Sequence, residues 1–277
     1  MPRSSPADDL QAEPRLKFGC HDFLNSQPIL YPLAQGLVET PFDMVLDSPA
    51  HLADRLRDGE LDLAFIPAVE YARIPRLKIV PGFSIAAEGE VRTVLMFSRK
   101  KMEEIKTVAV DQRSRTSVSL LKVLMHGYYG RDVSFSIAQK GHDPLENADA
   151  ALLIGDEAFK IPASGFHLYD LSQEWFRFTG KPFVFSILCV ASGVDADVAI
   201  DALGKAKEIG KGMLDEICRK GSLELGIPHG VCLDYLSNRI RYDLTPQQIQ
   251  GLKLFYELAG KYGVIHSVPD IVFYSPL

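Results

Sequence analysis

The feature that most limits what this chain can fold into is an alternation of short apolar runs with helical stretches, written twice. "LKFGC" (16–20), "FDMVLD" (42–47) and "LDLAFIP" (61–67) have the length and the aliphatic and aromatic content of strands. Between the last two, "SPAHLADRLRDG" is a punctuated helix. Ser48 can cap it, Pro49 suits its first position, Leu52 and Leu56 share a face, and Gly59 suits its end. After a further strand, "VRTVLMFS" (91–98), the plan recurs as strand 106–111, helix 116–126, strand 132–138 and strand 148–156. "GELDLAFIPAVEY" and "ENADAALLIGDEAF" are loosely alike, each running from an acidic start through an aliphatic strand into a loop.

Strands alternating with helices predict an α/β fold. Two such units predict two lobes rather than one long sheet. The strands at 91–98 and 181–192 stand between the units, which predicts two crossings. The division read this way is a flexible tail over 1–15, one lobe from 16–97 plus 187–277, and an inserted lobe over 98–186. The C-terminal part turns helical. Residues 195–218 place Val198, Ala202, Ala206, Ile209, Met213 and Ile217 on one face, and Thr245-Pro246 opens a last helix with Ile249, Leu252, Phe255 and Ala259 inward.

Composition narrows the function. The 277 residues carry a formal charge of −6, which disfavours bulk nucleic-acid or anionic-membrane binding, so an anionic ligand would need local counter-charge. The four cysteines match no zinc spacing and read as small buried hydrophobes. Residues 1–15 lack the apolar centre of a secretory signal, and the expectation is a cytoplasmic protein. Nucleotide, redox-cofactor and zinc-hydrolase readings have no motif behind them.

In open α/β sheets ligands sit beyond the carboxyl ends of strands. The loops there are His21–Ser26, Ser48-Pro49, Pro67, Asp111–Ser117 and Gly155-Asp156. The fourth is the most pointed. A helix start binds anions, and "SRTS" adds the hydroxyls of Ser114, Thr116 and Ser117 and the forked guanidinium of Arg115. Against this, a serine or threonine there is commonly only a cap. Asn25 and Ser26 serve equally as a cap for the helix at Pro28 or as ligand contacts. His21 and Asp22 look like a catalytic pair, but neighbours in an extended segment point opposite ways. Asp156 could hold a ligand hydroxyl or cap the next segment. Thr93 faces the cleft or is simply a strand residue, and Trp175 reads as packing.

"FLNSQPI", "SPAHLADRLRDGELDLAFIPAVEYAR", "IAAEGEVRTVLMFS", "DQRSRTSVSLL", "ADAALLIGDEAF" and "TGKPFVF" occur in the order seen in the chorismate dehydratases of the futalosine route to menaquinone, and the chain resembles that family from about 16 to about 190. The resemblance implies a two-lobed fold like that of type II periplasmic solute-binding proteins, with a central cleft. It implies loss of water from chorismate to give 3-enolpyruvylbenzoate, with no metal or organic cofactor; the charge and the lack of a membrane-length apolar stretch add the expectation of no nucleic-acid or membrane partner. By position it assigns catalysis to Asn25 and Thr93, and substrate binding to Ser114, Arg115, Thr116, Ser117, Gly155 and Asp156; the cleft-side loops add Ser26, Ser48 and Pro67 as substrate-binding candidates. Some members carry serine where this chain has Thr93, so the hydroxyl is kept and a methyl added. No carboxylate or histidine stands out as base, and the resemblance suggests that the substrate's enolpyruvyl carboxylate takes the proton, with His21 or Asp22 as the rival. The alternatives are a solute-binding protein for a small carboxylate and a related lyase on another enolpyruvyl acid.

Overall fold

The computed structural model describes residues 15–275, apart from 112, 139–140 and 163. The predicted tail therefore lies outside the described residues, save Arg15. The chain opens with β1 (Leu16–Cys20), a short 3-10 turn (Leu24–Ser26), α1 (Gln27–Ala34), β2 (Phe42–Leu46), α2 (Pro49–Arg57), β3 (Leu63–Pro67), α3 (Ala68–Tyr71) and β4 (Lys78–Ala87). It then builds β5 (Val94–Ser98), β6 (Thr107–Val110), α4 (Arg115–Gly127), β7 (Ser134–Ile137), β8 (Ala150–Ile154), a 3-10 turn (Gly155–Lys160), β9 (His167–Asp170) and α5 (Leu171–Thr179). It returns through β10 (Phe183–Val190), α6 (Asp197–Gly212), α7 (Leu214–Leu225), α8 (His229–Asp234), a π-helical turn (Tyr235–Arg239), β11 (Ile240–Arg241) and α9 (Pro246–Lys261).

Two sheets result. One has the order β11-β4-β10-β3-β1-β2 and the other β7-β6-β8-β5-β9. Without β11 they share one plan. Two strands pair parallel with a central one (β2 and β3 with β1, β7 and β8 with β6), and the next two run antiparallel. The alike segments noted in the sequence, β3 and β8, hold the same place in their sheets. The carboxyl ends of β1, β3, β6 and β8 lead into the loops His21, Ala68, Asp111 and Gly155.

The crossings differ from the sequence reading. β5 lies wholly in the second sheet and β10 wholly in the first, so boundaries at 97/98 and 186/187 would cut both strands. The chain hands over at 88–93 and again across α5. Asp170 ties these two segments, its carboxylate accepting from the N–H groups of Val91, Arg92, Ser172 and Gln173 at 2.9, 2.6, 3.0 and 3.1 Å. Arg92 is held there in the left-handed region, at φ 67°.

β4 went unread because Pro81-Gly82 looks like a turn. The strand instead carries a register shift against β10 between the Ile79 and Ser84 pairs, and Gly82 takes φ 77° within it. The helix expected over 195–218 breaks at Met213 into α6 and α7, and its predicted apolar face is only partly buried. Ala202, Ala206 and Ile217 are inside, whereas Val198 and Ile209 are exposed. In α9, Leu252, Phe255 and Ala259 are buried as the pattern requires. Trp175 is packing: its ring meets Phe183 and Phe255 edge-on, and its indole N–H donates to Pro182 O at 3.2 Å. The four cysteines are buried and free. No described helix is long and apolar enough to cross a membrane.

Candidate active site

A cavity open to solvent lies between the sheets. Its polar wall combines Asn25 from the turn after β1, Thr93 from the first crossing, and Ser114–Ser117 at the start of α4. Pro67 and Gly155, at the ends of β3 and β8, line it as well. Its apolar wall includes Phe23, Ile85, Val91, Ile154, Phe185 and Ile240. That is the usual build of a small-molecule site, mostly apolar with a few convergent polar groups.

The start of α4 carries the most telling atom. Ser114 Oγ is buried and has no hydrogen-bond partner among the described residues. A buried hydroxyl without a partner is costly. An anion lying on the helix start would satisfy it together with the first-turn N–H groups. Thr116 Oγ1 accepts from the Val69 N–H at 3.2 Å across the two lobes, which leaves its hydroxyl proton to donate.

Arg115 corrects the sequence reading. Its guanidinium donates to Asp54 Oδ2 at 2.7 Å, Asp54 Oδ1 at 3.0 Å and Glu70 Oε2 at 3.1 Å. The hydrogen bond from Arg115 holds the Asp54 carboxyl below its usual range. The fork already grips two carboxylates from the opposite lobe, so its charge is compensated before any ligand arrives. The sequence passed over Arg113 in the same motif. That side chain also lines the cavity, is 62% exposed and pairs with Asp111, which leaves it the more exchangeable cation.

Three other candidates lie outside this cavity. Ser26 is buried, with Oγ 2.9 Å from His21 Nδ1. Ser48 caps α2 by accepting from the His51 N–H at 3.4 Å, and it faces an adjoining cavity shared with Asp156. Asp156 reaches across the lobes and accepts from the Leu24 N–H through both oxygens at 3.2 Å, fixing the turn that carries Asn25. Burial pushes its carboxyl up to about 6, opposed by that hydrogen bond. His21 and Asp22 do diverge. Asp22 accepts from Gln27 Nε2 at 2.6 Å, while His21 is buried in the cavity wall, and burial pushes its imidazole down to about 4. It is therefore neutral at pH 7. No aspartate or glutamate is among the described residues lining this cavity.

Sequence reasoning missed Tyr235. Its hydroxyl sits between two candidate residues, 3.1 Å from Asn25 Nδ2 and 2.9 Å from Thr93 Oγ1. The ring is buried and meets Phe159 of the other lobe edge-on at 5.1 Å. Only the π-helical turn marks it, and such turns favour functional sites.

Residues 16–261 match the family described as menaquinone biosynthesis. The chain belongs to this family. It is also 30% identical, over 248 residues, to a chorismate dehydratase of Thermus thermophilus, covering 83% of this chain and 91% of that one. Among solved structures, a protein of Archaeoglobus fulgidus superposes with a TM-score of 0.76 at 17% identity, covering 91% of this chain and 98% of that one. An alkanesulfonate-binding protein of Xanthomonas axonopodis does so at 0.61 and 14%, covering 94% and 96%. A Candida albicans protein described as having the generic periplasmic-binding-protein fold does so at 0.63 and 11%, covering 93% and 92%. This member of the menaquinone-biosynthesis family therefore has the two-lobed periplasmic-binding-protein fold, with its cavity where the two sheets face each other.

Proposed function

We propose that this protein is a hydro-lyase that removes water from chorismate to give 3-enolpyruvylbenzoate, at the entry to menaquinone biosynthesis. The observation that carries this reading is one cavity that joins Asn25, Thr93 and the α4 start, where the Ser114 hydroxyl has no partner among the described residues, in a chain 30% identical to a chorismate dehydratase. Chorismate is a dianion. One carboxylate lies at the Ser114 end, held by hydroxyls and helix N–H groups, with Arg113 at the mouth. The apolar wall takes the ring.

The reaction breaks a ring C–H bond, and its electron pair becomes the new ring double bond as the hydroxyl departs. The proton needs an acceptor, and the hydroxide needs a proton to leave as water. Among the described residues the cavity wall holds no carboxylate, and its histidine is buried, with Nδ1 in contact with Ser26 Oγ. The enolpyruvyl carboxylate of the substrate, beside the reacting carbon, fits the role of acceptor, and the proton it takes serves the departing hydroxide. Aromatisation supplies the driving force. What remains for the protein is orientation and stabilisation of moving charge, the work of Asn25 and Thr93.

The test is Asn25→Ala with chorismate as substrate. The reading expects kcat to fall by about a hundredfold or more, as when one preorganised hydrogen-bond group is lost. Near-normal turnover would remove Asn25 from the chemistry. His21→Asn is the companion: loss of turnover with the fold intact would make the imidazole the base.

A further inference from the structure

Tyr235 does not line the cavity, yet its hydroxyl joins the two side chains given the chemistry, from 210 residues beyond Asn25 and 142 beyond Thr93. The directions of its bonds follow from counting donors. Asn25 Nδ2 donates to Tyr235 Oη. The tyrosine proton then goes to Thr93 Oγ1, its other neighbour. Thr93, having accepted, must send its own hydroxyl proton elsewhere, and the cavity lies on its free side. Asn25, having spent one amide hydrogen behind the wall and with its carbonyl oxygen accepting from Ser26 Oγ at 3.4 Å, keeps its second amide hydrogen for the front.

We propose that Tyr235 is a positioning residue that sets the hydrogen-bond polarity of this site: it makes Thr93 a donor toward the substrate and locks the orientation of the Asn25 amide. The proposal rests on the chorismate reading. A donor at Thr93 suits a leaving hydroxyl or a carboxylate oxygen, both of which gain negative charge or already carry it. The ring is held by edge-on packing against Phe159 at 5.1 Å, so the hydroxyl is placed by a rigid frame. A chain of this kind, donor to acceptor through three side chains, also polarises each bond in turn.

The experiment measures chorismate dehydration and thermal unfolding for wild type, Tyr235→Phe, Thr93→Val, the double variant and Thr93→Ser. Phenylalanine keeps the packing, and the released groups face a solvent-open cavity where water can serve them. We expect kcat of Tyr235→Phe to fall about ten- to a hundredfold, the loss of one buried bond in a network, with KM changed less than kcat. The tyrosine change should cost less in the Thr93→Val background than in wild type, because part of its effect passes through the threonine and the rest through the Asn25 amide. Thr93→Ser should keep most of the turnover, since serine accepts and donates alike. Wild-type kcat in Tyr235→Phe, or penalties that simply multiply, would overturn the proposal. Were Tyr235→Phe to melt below the assay temperature, the serine variant decides: loss equal to that of Thr93→Val would overturn it. A wild type that leaves chorismate unchanged refutes the functional reading and the proposal with it. A wild type that dehydrates beside a fully active Tyr235→Phe refutes the proposal alone.

Discussion

Arg115→Met removes the cation that joins the lobes, and the structure sets the size of the effect. The Glu70 side chain is 4% exposed and the Asp54 side chain 29%. Without Arg115, Glu70 keeps only Arg73 among the described residues, at 2.7 Å and from a side chain that is itself 39% exposed. Breaking a buried pair strands a charge at a cost of about 3–5 kcal/mol. Here Arg73 remains and the Asp54 end is screened, so about 2–3 kcal/mol is the consistent figure. At about 2–4 °C per kcal/mol for a chain of this size, the unfolding midpoint should drop by roughly 5–10 °C. Steady-state turnover of chorismate, measured below that midpoint, should show KM raised more than kcat is lowered, because the lost contacts hold the lobes together around the ligand. Glu70→Gln in the Arg115→Met background should recover part of the stability by removing the stranded carboxylate. An Arg115→Met protein that melts at the wild-type temperature while losing turnover would refute this reasoning and return the guanidinium to the substrate.

Asp156 ionises at about 6 in the fold and near 3.8 otherwise, so the native state binds its proton more tightly, and stability from this group falls as pH rises from about 4 to about 6. Asp156→Asn keeps an oxygen for the Leu24 N–H, and its gain over wild type should grow by about 1 kcal/mol between about pH 5 and about pH 8 in denaturant titrations; a pH-independent gain would contradict this. Gly210→Ala would put a Cβ 1.7 Å from Pro28 O at the start of α1, forcing α1 away from α6. It should cost about 1–3 kcal/mol and lower kcat by displacing the neighbouring Asn25, read by unfolding and turnover together. Asp170→Ala leaves four backbone N–H groups at the crossings without their acceptor and should cost about 3–5 kcal/mol, read from the shift of the denaturant midpoint at unchanged slope.

The sequence made legible what is local. The strand–loop–helix grammar around Asn25 and the hydroxyl-rich start of α4 each fit in a few residues, and both lie in the cavity wall. What stayed hidden depends on distant partners. Arg115 reads as a free cation until Asp54 and Glu70 approach from the other lobe. Tyr235 looks like any aromatic in a helical stretch until folding brings its hydroxyl to Asn25 and Thr93. β4 was masked by a proline and glycine that mark a register shift rather than a turn. The break at Met213 left no trace because the apolar spacing runs on across it.

The central claim is that the cavity converts chorismate by dehydration. Purified protein should be mixed with chorismate, with and without a chelator, and the products identified by mass. The account predicts loss of chorismate and a product lighter by one water, at the same rate in both samples. Chorismate left unchanged, even where it raises the melting temperature, would contradict the account and make the protein a binder of such acids rather than an enzyme upon them.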